Sequence, residues 1–333
     1  MYRGSWELVL IVTSTDSPVR ADRTWMVALG AALWGTSAVM RDPLTRDLGV
    51  APATVVFFEH LILVLVLAPW LGGALRAWWA ASDRTKIAVV VIGVGASAIA
   101  TTLFTAAIAT GFDVNGQPDL ITPIALQKLQ PLIAMLLAAL ILVERVRPLF
   151  WLFAAPALIG SWFLAFAEPF DITLQTAQAA LLAVGAAALW ASGTVLGRFV
   201  GSEVSATHLT ALRFFFGFIT MFAIVGIRGD SYTMPVEGLK WVVPLALIVG
   251  LLALSLYYRG LRNTPAFRAT YAELAFPLTA AVVGLTLGRN LVWNQWVGFA
   301  IVIAAVTALT LYENRSRQPA VAVPDRIEDA IKV

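Results

Sequence analysis

Runs of about twenty apolar residues recur along this chain, and one such run crosses the roughly 30 Å hydrocarbon core of a bilayer as a single helix. They lie near residues 24–40, 52–73, 86–110, 122–143, 148–167, 176–197, 207–227, 240–260, 267–287 and 292–312. Turn and charge signals separate them, among them RDPLTRD, GFDVNGQPD, ERVRP and RGDSYTMPVEG. Inside lipid each backbone N–H and C=O must be satisfied within the protein, so these runs predict helices. Composition agrees: of the 333 residues 59% are hydrophobic and 13% charged, where a soluble domain carries about 25% charged residues. The expected fold is an all-α integral membrane protein with ten transmembrane helices.

The ends read differently. Residues 1–23 hold a short apolar patch interrupted by Glu7 and no small-residue cleavage site, so a non-spanning tail is expected. Residues 313–333 are polar and proline-containing, and are expected to form a second tail. With the N-terminus placed inside, alternate segments hold sixteen Lys and Arg on the inner side and five on the outer, the five including Arg41 and Arg46. Positive charge collects on the cytoplasmic side, so both termini are predicted cytoplasmic in a multi-pass cell (inner) membrane protein. The basic balance is thus a matter of orientation, and no nucleic-acid partner is expected.

The two halves resemble one another. ALGAALWGTSAV (28–39) echoes AVGAAALWASGTV (183–195), and ATVVFFEH (53–60) lies against ATHLTALR (206–213) at a shift of 153. QKLQP (127–131) lies against AELAFP (272–277). Five helices per half is an odd number, so residues 176–312 are expected to enter the membrane inverted relative to residues 24–167. Inverted repeats are frequent in secondary transporters, with the solute site between the halves. The two LW helix starts, the mid-helix proline of LQPLIAMLLAALILVERV, YYRGLRNTPA and ELAFPLTAAVVGLTLG together resemble the EamA family of the drug/metabolite transporter superfamily. The resemblance implies a 5+5 bundle exporting small metabolites, often amino acids or drug-like compounds. Two departures stand out. The Leu-Gly-Glu turn usual after the fourth and ninth helices reads Leu142-Val143-Glu144 and Leu287-Gly288-Arg289, and the arginine expected early in the second helix is replaced by Glu59-His60.

Glu59, His60, Lys128, Arg213 and Glu273 fall inside predicted spans. A charge at the bilayer centre costs on the order of 3 kcal/mol on insertion scales, so these groups should face protein or water and have partners. Counted from the ends of the apolar runs, Glu59 and Lys128 sit about 10 Å below the outer face, and Arg213 and Glu273 about 9 Å above the inner one. The expected pairs are therefore Lys128 with Glu59 and Glu273 with Arg213. They line vestibules that contact solute or protons, or else serve as static ion pairs. Gln127, Gln130 and Tyr271 join the candidate pathway, with Trp34, Trp190, Tyr257 and Tyr258 as candidate cavity walls. Pro131 and Pro277 are hinge candidates, each freeing a carbonyl one turn upstream, on Gln127 and Glu273. His60 is the natural pH-sensitive group, unless it merely caps a neighbouring carbonyl.

The predicted function is a secondary transporter exporting amino acids or similar zwitterionic solutes, facilitative or proton-coupled, as monomer or homodimer among membrane lipids. A membrane-embedded enzyme is the alternative, but no His-Glu-x-x-His, Gly-x-Ser-x-Gly or cysteine is present. No catalytic residue, metal or cofactor is expected. A non-transporting scaffold is the third class, and would not need matched charges in both halves.

Overall fold

The computed structural model describes residues 23–112, 116–141, 150–170, 174–261, 272–288 and 290–317. Helix α1 (Thr24–Gly35) is followed by α2 (Ser37–Asp42) and a π turn (Pro43–Asp47). Next come α3 (Pro52–Ala80), α4 (Asp83–Thr110) and the short α5 (Thr122–Leu126). A 3₁₀ turn (Gln127–Leu129) leads into α6 (Gln130–Ile141), then α7 (Phe150–Ala165) and α8 (Leu174–Val200). The last elements are α9 (Ala206–Arg228), α10 (239–261), α11 (Ala275–Thr286) and α12 (Trp293–Arg317). Among the described residues the only non-helical pairing is an isolated bridge between Phe112 and Pro118.

Local chemistry sets these boundaries. Pro52 opens α3, where its missing N–H costs nothing. Ser82 and Ser205 cap α4 and α9 by accepting the amides of Thr85 and His208. Gly229, at φ 70°, ends α9 in the left-handed region. Among the described residues five helical stretches are long and apolar enough to cross a membrane: Pro52–Ala80, Asp83–Thr110, Ala177–Gly197, Ala206–Arg228 and Val236–Tyr257. The other expected spans contain shorter or interrupted helices, such as Phe150–Ala165 and the α5–α6 pair. Two long helices carry eight-residue π-helical stretches, Ile92–Ile99 in α4 and Leu245–Leu252 in α10.

Helices pack in definite pairs: α3 on α9, α7 on α12, α1 on α10 and α11, and α8 on α4 and α6. Glycine permits the closest of these approaches. A Cβ on Gly298 would run into the backbone of Gly160, Phe163 and Leu164, and one on Gly160 would meet Ile301. Small residues give this proximity in lipid, where no hydrophobic drive joins helices. Gly193, in the small-residue series GTVLGRFVG, likewise lies against Ala96 of α4.

Buried charge locks the α2–α3–α4 corner. Arg41 donates from Nη2 to Glu59 Oε2 at 2.8 Å and from Nη1 to Thr105 Oγ1 at 2.7 Å. The two charged side chains are 4% and 8% exposed, so the pair is sealed in protein. The expected Glu59–Lys128 pair is therefore not formed. RDPLTRD, expected to be an outer loop, stays helical through Asp47, and this brings Arg41 inside. His60 is equally enclosed: Nδ1 lies 2.9 Å from the Val56 carbonyl and Nε2 2.9 Å from Ser97 Oγ, with its edge toward Phe214.

Two outcomes test this packing. Gly298→Val should lower the thermal midpoint of detergent-solubilised protein, at a cost of about 1–3 kcal/mol for overpacking. Glu59→Gln should cost about 3–5 kcal/mol by leaving a buried guanidinium without its counter-charge, while Arg41→Met combined with Glu59→Leu recovers most of the loss. Both are read by thermal unfolding followed by size-exclusion chromatography.

Candidate functional site

Two helices break at matching places. The chain turns 3₁₀ over Gln127–Leu129 before Pro131, and it leaves α-helix at Glu273 and Leu274 before Pro277. Each proline then sits in the first turn of the following helix, α6 or α11. Proline has no N–H to give the carbonyl four residues back. The freed carbonyls accept shorter-range bonds instead, Gln127 O from Gln130 N and Glu273 O from Phe276 N at 3.1 Å.

Lys128 lies in the first break and reaches the second. Its Nζ donates to the backbone carbonyl of Glu273 at 3.3 Å and sits 5.0 Å from the centre of the Phe276 ring. The expected separation of Lys128 and Glu273 in depth fails, because the start of an apolar run does not mark the membrane edge when the helix is interrupted. Glu273 Oε1 accepts the hydroxyl of Tyr257. Tyr257 packs on Trp34 at a ring distance of 4.9 Å, and Trp34 Nε1 donates to Val249 O at 3.1 Å. A polar and aromatic chain thus runs from Lys128 through Glu273 and Tyr257 to Trp34, joining α10, α11 and α1 to the α5–α6 break.

The expected Arg213–Glu273 pair is not formed either. Arg213 donates from Nη2 to Ala96 O at 3.2 Å, in the π-helical stretch of α4, and lies over Phe214. Gly93 explains the reach: a Cβ there would strike Phe216 and approach the Arg213 carbonyl at 3.2 Å, so the two helices lie unusually close.

The other candidates divide. Gln130 Nε2 is 3.4 Å from Thr194 Oγ1, which in turn donates to Trp190 O at 3.0 Å, so Gln130 and Trp190 border the Lys128 region. Trp190 and Phe276 both pack against the cluster of Phe104, Ile108 and Ala280. Gln127 turns inward and donates to Pro123 O of its own helix at 3.5 Å. Glu59 and His60 stand apart in the locked corner already described. Tyr271 lies outside the described residues, as does the side chain of Tyr258. Arg41, Thr194 and Phe276 were not among the candidates. Phe276 could have been found from the QKLQP–ELAFP alignment, since it falls opposite Gln130. Among the described residues no group of His, Asp and Glu could hold a metal ion.

The polar groups beside Lys128 and Glu273 are half-buried rather than sealed, and Thr194 is exposed. Such an arrangement offers a cation, a carboxylate, an amide and aromatic faces to a polar solute. Comparison with known proteins bears on what uses it. Residues 177–311 match the EamA-like transporter family. Over 287 residues the chain is 26% identical to YwfM of Bacillus subtilis (strain 168), described as an uncharacterized transporter, covering 85% of this chain and 92% of that one. Over 288 residues it is 28% identical to the riboflavin transporter ImpX of Fusobacterium nucleatum, covering 84% and 93%. A crystal structure at 18% identity shares the fold with a TM-score of 0.58, covering 90% of this chain and 99% of its own. Long apolar helices, a family match over residues 177–311 and similarity to transporters across both halves converge: this chain is an integral membrane protein whose second half is similar to the EamA-like transporter family.

Proposed function

We propose that the protein is a secondary transporter working by alternating access, built from two five-helix units, residues 24–167 and 176–312, inserted with opposite polarity. The helix pairings support this reading. Exchanging α1–α2, α3, α4, α5–α6 and α7 for α8, α9, α10, α11 and α12 turns α3–α9 and α7–α12 into themselves. The same exchange turns α1–α10 into α8–α4, and α1–α11 into α8–α6. The π-helical stretches obey the shift of 153 already present in the sequence, since Ile92–Ile99 maps onto Leu245–Leu252. Ten spans with both termini in the cytoplasm of an inner-membrane protein follow from this scheme.

The single observation that carries the functional reading is the hydrogen bond from Lys128 Nζ to the Glu273 backbone carbonyl, where two broken helices meet. Transporters of this general build bind solute at such discontinuities, near the bilayer midplane. A cation and a carboxylate in one region, bonded to a main-chain carbonyl and to Tyr257 instead of to each other, suit an amino acid or similar zwitterion, with Lys128 taking the solute carboxylate and Glu273 its ammonium. Export of such metabolites is the assigned direction. The rings of Trp34, Tyr257, Phe276 and Trp190 favour a second class, planar heteroaromatic solutes, to which the riboflavin carried by the Fusobacterium relative belongs. Proton coupling runs through Glu273, the carboxylate bound to Tyr257.

Purified protein in proteoliposomes, offered a panel of amino acids and riboflavin with and without a pH gradient, tests this. One solute class should enter faster than into empty vesicles, and Lys128→Ala should slow it by roughly tenfold or more, the loss expected for one charge-assisted hydrogen bond. Glu273→Gln should abolish the response to the pH gradient. Flux equal to that of empty vesicles for every solute would remove the reading.

A further inference from the structure

Helix α4 is tethered at both ends by ionised side chains that the solute site does not use. At its N-terminus Glu203, in the turn between α8 and α9, accepts Ser82 N at 2.7 Å, Ser82 Oγ at 2.9 Å and Thr85 Oγ1 at 2.7 Å. At its C-terminus Arg46, in the π turn after α2, donates to Ile108 O at 2.7 Å and to Gly111 O. Arg46 is itself anchored by Asp42 at 2.9 Å and lies over the Phe112 ring. Each sign is the one the helix dipole favours, a carboxylate at the N-terminus and a cation at the C-terminus. Both residues sit in corresponding connections, joining the first two helices of their respective halves.

The helix between these tethers forms a wall of the Lys128 region. Phe104 of α4 packs on Trp190 at a ring distance of 5.5 Å, and Ala96 lies against Gly193 of α8. The next residue of α8 is Thr194, bonded to Gln130. Moving one end of α4 away from α8 therefore widens access to Lys128 from that end. The π-helical stretch between the tethers is an interruption at which the two ends of a helix can move separately. The Glu203 carboxyl is held below the usual carboxylate range, first by the Ser82 amide and then by the Thr85 and Ser82 hydroxyls. It stays ionised at neutral pH, so movement of the helix rather than titration breaks the contact.

We propose that Glu203 and Arg46 are the two clasps of the access cycle: each holds one end of α4 closed, and opening either face releases the clasp at that face alone. This rests on the transporter reading, from which its test can be separated. The chain contains no cysteine, so Thr194→Cys gives a single reporter for a membrane-impermeant maleimide applied to either side of sealed vesicles. Glu203→Ala should raise labelling roughly tenfold from the Glu203 face and leave the other face unchanged, the size expected for losing charge-assisted hydrogen bonds. Arg46→Ala should do the reverse. Should either alanine variant fail to run as a single species on size-exclusion chromatography, Glu203→Gln or Arg46→Lys replaces it, with a smaller shift at the same face. Labelling unchanged, or raised equally from both faces, overturns the clasps even if wild-type flux is intact. Labelling needs no solute, so absence of wild-type flux counts against the transporter reading alone.

Discussion

An ammonium group in an interior this apolar must find an acceptor, and Lys128 finds one in a backbone carbonyl that Pro277 cannot serve. The rest of the arrangement depends on that contact. It ties the break before α6 to the break before α11, and through Glu273, Tyr257 and Trp34 it reaches α10 and α1. The prolines and the lysine therefore belong to one device. Without the break at Glu273 the carbonyl would be consumed within its own helix, and without Lys128 the freed carbonyl would have one partner fewer.

The buried charges fall into two kinds, and burial separates them. Arg41 and Glu59 are nearly inaccessible and bind each other and Thr105, which suits cross-linking of three helices. His60 has both ring nitrogens partnered and an edge against Phe214, so it behaves as a packing residue. Lys128 and Glu273 are half-buried and lie among Gln130, Thr194 and aromatic rings. Desolvating a charge that has no further task is costly, and partial exposure keeps such groups available to a solute.

Much of this was legible in the residues, and the failures share a cause. Apolar runs located the long helices, and the proline motifs located both breaks. Tyr257 and Trp34, cavity-wall candidates, lie along the chain of contacts that starts at Lys128, and Gln130 lies beside it. Charge partners were not legible, because they depend on depth, and depth was counted from the ends of apolar runs. Interrupted helices spoil that count, which is why the apolar runs separate Lys128 from Glu273 and the structure joins them. Arg41 is hidden in the sequence for a related reason: RDPLTRD has the proline and charges of a loop, yet Pro43 begins a π turn and the chain stays helical. Nothing in the residue pattern distinguishes a π stretch from ordinary helix.

Those wide turns have a consequence for rotational phase. Each residue of an α-helix advances the next by about 100° and 1.5 Å. A π stretch takes up an extra residue, so winding Ile92–Ile99 at ordinary pitch with no residue removed would swing everything beyond it by roughly that angle. Phe104 would then face away from Trp190, and Thr105 away from Arg41. The extra girth of the turn is thus a spacer that keeps two ends of one rod aimed at different neighbours, and the same spacer sits at the equivalent place in α10.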